Sequence, residues 1–155
     1  MQKVGVHAVV PTDNGTAVFL GNEEKKFVIY MEQSVGTAIS MFIHGVEKPR
    51  PLTHDLIVLL LTSFGATVDR VIINKYQEDV FYARLLLVAE NEVMERKVVE
   101  IDARPSDCIA LACQQNAPMY VTKEVWDIVE DMTEVLEKLG SEKVDDEEDE
   151  ENEDN

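Results

Sequence analysis

VDRVIINKYQEDVFYARLLLVA, residues 68–89, decides the fold. Its two halves, Val68–Tyr76 and Val80–Ala89, are rich in β-branched and aromatic residues, and the polar QED between them has room only for a tight turn. A hairpin is expected, with a third β-rich run at about Arg96–Ile101. Upstream, VGVHAVV at 4–10 alternates as a half-buried strand does, and DNG at 13–15 is a hairpin turn signal before TAVFLG. Phe27–Met31 supplies one more strand. Two helices separate these strand groups. Ser34 is expected to cap a helix in which Val35, Ala38, Ile39, Phe42 and Ile43 share a face, and Gly45 closes it. The two prolines of GVEKPRP then stop that helix, so Thr53 is expected as the N-cap of a second, running from His54 to about Phe64.

Beyond the second strand group, Pro105 or Ser106 starts a helix reaching about Asn116, Met119–Val121 form a short strand, and Thr122 caps a last helix. The order βββααβββαβα describes an α+β domain, a mixed or antiparallel sheet with packed helices, over residues 1–122. In the C-terminal helix expected at 123–140, Val125, Val129, Met132, Leu136 and Leu139 are spaced 4, 3, 4, 3. That seam suits packing on the domain or on a partner subunit. Residues 141–155 are nearly all Asp and Glu, bury nothing and repel one another; a disordered acidic tail is expected.

The chain has 155 residues, 31 acidic and 14 basic, with a net charge of −17. Ten of the acids fall in the tail, yet the remainder, 21 acidic against 13 basic residues, still carries about −8. A protein that coats nucleic acid neutralises phosphates with clustered Lys and Arg, and no such cluster is present. An enzyme with a local site remains open. Cys108 and Cys113 form no CxxC pair and read as buried free thiols. The longest apolar run, LIVLLLTSF at 56–64, is too short to span a bilayer, and no signal-peptide core precedes Pro11, so a soluble, cytoplasmic protein without a membrane partner is expected.

RPLTHD at 50–55 has an echo in RPSD at 104–107, each placing Arg and Pro ahead of a hydroxyl residue and an aspartate at the start of a helix. Helix N-termini expose free N–H groups and the positive end of the macrodipole, which favours anions. If the two starts converge, Arg50, Thr53, Arg104 and Ser106 could bind phosphate, Asp55, Asp102 and Asp107 could hold a divalent ion such as Mg or Mn, and His54 could act as base. The catalytic set on this reading is His54, Asp55 and Asp107. The structural alternative is that Thr53 and Ser106 are ordinary N-caps and that each aspartate serves its own helix. His7 and His44 read as structural, Glu32, Asn74, Glu78 and Asp79 as strand-end residues, and Trp126 and the tyrosines offer no visible base-stacking platform.

PRPLTHDL at 49–56, VIIN and FYARL at 71–74 and 81–85, and DARPSDCIALA with APMYV at 102–112 and 117–121 resemble the bifunctional nuclease (BFN) domain family, over roughly residues 4–122. The resemblance implies an α+β domain, often oligomeric in bacteria, with a nuclease (hydrolase) activity on RNA and DNA. It places Arg50, Pro51, Thr53, His54 and Asp55 in one motif and Asp102, Arg104, Ser106 and Asp107 in another, without assigning roles. Cys108 stands where the family usually has alanine, and the third strand reads FVIYME, with Met31 and Glu32 in the stretch where the family commonly has a glycine after the last aliphatic residue. A nuclease assisted by Mg or Mn that forms a homo-oligomer such as a dimer is therefore the expectation; the alternative is a non-catalytic oligomeric interaction or regulatory module.

Overall fold

The computed structural model describes residues 1–140; the acidic tail lies outside them. The first strand group is an antiparallel meander, β1 (Gln2–Thr12), β2 (Gly15–Gly21) and β3 (Lys26–Met31). Two helices follow, α1 (Gln33–His44) and α2 (Thr53–Ser63), and then a second antiparallel meander, β4 (Ala66–Gln77), β5 (Val80–Glu90) and β6 (Arg96–Ala103). The QED turn is a two-residue loop in which Glu78 and Asp79 both take positive φ, 52° and 61°, the backbone that matches the twist of the flanking strands. Helix α3 (Pro105–Gln115), strand β7 (Met119–Val121) and helix α4 (Lys123–Ile128) complete the expected order, and residues 133–140 are again helical.

Seven strands form one mixed sheet in the order β3-β2-β1-β7-β4-β5-β6. Strand β7 joins the two meanders, antiparallel to Gln2–Val4 of β1 on one side and parallel to Val71–Ile73 of β4 on the other. The rest of β1, from Gly5 on, pairs with β2. The meanders also meet through side chains, because the ring of Phe27 on β3 lies 5.9 Å from that of Phe81 on β5 and 6.3 Å, edge-on, from Trp126 on α4. The sheet is thus curled, with its two outer parts sharing a core.

Helix α3 is the most deeply set. Its run Cys108–Ala112 is buried throughout, against Val71, Ile73, Leu85 and the α1 residues Val35 and Ile39. Helix α1 sits close to β2 because Gly36 has no side chain: a Cβ there would lie 2.3 Å from the Thr16 hydroxyl. Thr16 is buried and β-branched and cannot swing away cheaply. Gly36→Ala is therefore expected to destabilise the fold by about 1–2 kcal/mol, overpacking outweighing the roughly 1 kcal/mol helix preference of alanine, as a urea titration would read.

The helix ends differ from expectation by a residue or two. Glu32, not Ser34, is the N-cap of α1, and Leu52, not Thr53, that of α2; α3 starts at Pro105, one of the two expected positions, so its N-cap is Arg104 and not Ser106. The expected single helix over 123–140 is interrupted: α4 ends at Ile128, Val129 is extended and buried, and Met132 N–H donates to Lys26 O at 2.6 Å. Lys25 holds the end of α4, its Nζ donating to Trp126 O at 2.6 Å and lying 5.6 Å above the indole. The 4, 3, 4, 3 spacing is consequently not one helical seam, since burying Val129 in the core turns the chain.

Candidate functional site

The two arginine-proline segments come together. Helices α2 and α3 start side by side, and His54 Nε2 lies 3.0 Å from Asp107 Oδ1. The other oxygen of Asp107 accepts from Arg104 Nε at 3.0 Å, and Arg104 Nη1 lies 3.8 Å from Glu32 Oε1 at the start of α1. A carboxylate only accepts, so Nε2 of a neutral His54 is the donor and Nδ1 is left as the basic atom. His54 is the one buried residue of α2, whereas the Asp107 side chain keeps about a third of its surface exposed. Partial burial pushes the Asp107 carboxyl up, but hydrogen bonds from His54 and Arg104, with the charge of Arg104, outweigh this and hold it below the usual carboxylate range.

Asp107 therefore binds its proton less tightly in the fold than in the unfolded chain. Its contribution to stability is present above an unfolded pKa of about 3.9 and fades as pH falls through the lower folded value. Asp107→Asn is expected to cost about 1 kcal/mol at pH 7, with the difference from wild type narrowing below pH about 4, as denaturant titrations at several pH values would show.

Asp55 is committed otherwise. Its Oδ2 accepts the Leu52 N–H at 2.8 Å and lies 3.2 Å from Lys48 Nζ, while Oδ1 accepts from Gln114 Nε2 on α3 at 2.8 Å. It ties α2 to its own cap and to α3. Asp102, on β6, has a 68% exposed side chain and faces Arg84 at 4.0 Å. The three aspartates named from the sequence as metal ligands are thus not gathered, and no group of three or more His, Cys, Asp or Glu among the described residues is arranged to hold an ion. Of the phosphate candidates, Arg104 and Ser106 stand together on a cleft, while Arg50 and Thr53 are exposed at the start of α2 and do not line it. Burial pushes the thiols of Cys108 and Cys113 up to about 12 and about 11, which leaves them protonated at neutral pH.

That cleft, of about 610 Å³, opens beside Arg104 between the two meanders. Phe27, Met31, Tyr76, Phe81 and Val129 give it apolar walls, and Glu32, Asp79, Glu130, Arg104 and Ser106 its polar groups. Tyr76 and Phe81 stack with centroids 4.2 Å apart, and the Tyr76 hydroxyl donates to Asp79 at 3.2 Å. An aromatic surface is present after all, built from partners in β4–β5 register rather than from aromatics interleaved with basic residues. The pairing of Tyr76 with Phe81 across a two-residue turn was the available signal; Lys48 and Gln114 as partners of Asp55 had none.

The sequence matches the model of the bifunctional nuclease domain over residues 18–134, most of the chain and both motifs included. The chain belongs to the bifunctional nuclease domain family. Two uncharacterized proteins of Mycobacterium tuberculosis, from strains CDC 1551 / Oshkosh and ATCC 25618 / H37Rv, are each 38% identical to it over 104 residues, 67% of this chain. The match spans 58% of each relative's own length. In this bifunctional nuclease domain the His54–Asp107–Arg104 chain and the adjoining cleft form the polar centre, and no helix among the described residues is long and apolar enough to cross a membrane.

Proposed function

We propose that this bifunctional nuclease domain hydrolyses phosphodiester bonds in RNA and/or DNA. The observation that carries the reading is the 3.0 Å contact between His54 Nε2 and Asp107, which joins the two family motifs in one oriented acid–base pair. Asp107 would fix the imidazole, leaving Nδ1 to take a proton from the water as its oxygen bonds to phosphorus; the bond from phosphorus to the leaving oxygen breaks, and that oxygen takes the proton back from Nδ1 or from solvent. Arg104, with Ser106 at the start of α3, would hold the phosphate. Asp55 serves in this reading as the residue that sets α2 against α3.

The test is cleavage of labelled RNA and DNA oligonucleotides, with Mg, with Mn and with chelator, by wild type and by the double variant His54→Ala, Asp107→Asn. Cleavage by wild type alone is the expected result. Equal cleavage by the double variant would assign the activity to a contaminant and leave the second reading, a non-catalytic oligomeric module.

One observation favours self-association under either reading. Between Asp55 and Asp69 the sequence has no charged residue, and Leu56, Leu59, Leu60 and Phe64 of the α2 segment are 52%, 52%, 52% and 83% exposed. A face so apolar is unusual on a chain this acidic. We propose that it pairs with a second copy. Leu60→Glu is expected to lower the mass in solution measured by light scattering, most simply from dimer to monomer.

A further inference from the structure

We infer that the cleft beside Arg104 takes a single unpaired nucleobase, so that the domain selects single-stranded nucleic acid. The inference rests on the phosphodiesterase reading for what is bound, and adds which form of it. The volume, about 610 Å³, is more than one base requires, and the walls include Phe27 and the stacked Tyr76–Phe81 pair. Every base has a π-face, and stacking on an aromatic side chain is worth about 1–3 kcal/mol per base.

Charge decides the orientation. Glu32, Asp79 and Glu130 line the cleft against one cation, Arg104. An anion is tolerated only at the Arg104 end, so the phosphate belongs there, next to the His54–Asp107 pair. The remaining space suits a neutral ring whose exocyclic amino group can donate to a carboxylate, as cytosine does to Glu or Asp. A duplex cannot enter in this way: its bases are stacked and paired, and it would bring two phosphate chains up to an acidic rim on a chain of net charge −17. Extruding a base from a duplex costs a few kcal/mol, which an already single-stranded one does not incur.

Binding is measured by fluorescence anisotropy with a labelled twelve-residue oligoadenylate and with the same oligomer in a duplex. The protein is His54→Ala, so that affinity is read without turnover. Single strand should bind at least about tenfold tighter than duplex. Tyr76→Leu, which keeps apolar bulk and removes the ring, should weaken single-strand binding by about tenfold or more, and Tyr76→Phe should retain it. Equal affinity for the two forms, no binding of either, or a Tyr76→Leu variant that is folded and binds as tightly as its parent would overturn the inference. The two readings fail separately. Selective binding by a protein that cleaves nothing would defeat the hydrolase alone; cleavage by wild type with no effect of Tyr76→Leu on binding would defeat the base site alone.

Discussion

His54→Ala is expected to lower the rate of phosphodiester cleavage by about 10²–10⁴-fold, the usual contribution of a positioned general base. The loss should fall on kcat, because Arg104 and the cleft, proposed to take the phosphate and base, reach the imidazole only through Asp107. An unchanged KM alongside the fall in kcat separates this from a structural effect. Since His54 is buried, thermal unfolding must accompany the kinetics. A variant that is folded and as active as wild type would end the assignment of His54 as base.

Phe27→Ala is expected to be the most damaging single truncation, at about 3–5 kcal/mol, as for other buried phenylalanines. The side chain is 1% exposed and touches both Phe81 and Trp126, so its loss opens a cavity where the first meander, the second meander and α4 meet. Against a total stability of about 5–15 kcal/mol, this removes much of the margin. The midpoint of thermal unfolding should drop by about 10 °C or more. Because Phe27 also lines the cleft, single-strand binding should weaken even below that midpoint. A shift of only a degree or two would mean that the two meanders do not depend on this ring.

Much of the fold was legible because its signals are local. The Glu78–Asp79 turn lies between two β-rich runs, Gly45 ends α1 in the left-handed conformation with φ 63°, and PSDCIALA announces a helix with a proline at its first position. The meeting of RPLTHD with RPSD was foreshadowed by their shared grammar, but grammar could not distinguish the two aspartates. Asp107 faces His54 and Arg104, whereas Asp55 is taken up by Leu52, Lys48 and Gln114, and the difference depends on residues up to 59 positions away. The interruption after Ile128 was hidden for the same reason. A 4, 3 spacing looks like one helix until the core claims Val129 and Lys26 offers its carbonyl to Met132. The cleft required Phe27 and Phe81 in proximity, which no window of sequence contains.

The three-residue strand β7, paired to Gln2–Val4 on one side and to Val71–Ile73 on the other, also sets a timetable for synthesis. Residues Gln2–Val4 wait during synthesis for partners at Met119–Val121, more than a hundred positions later. Until those emerge, β1 presents an unpaired edge able to recruit other chains. Both meanders can assemble early from neighbouring strands, but they become one molecule only when this late segment is inserted between them, so a nascent chain halted before residue 119 is left as two unjoined halves prone to aggregate.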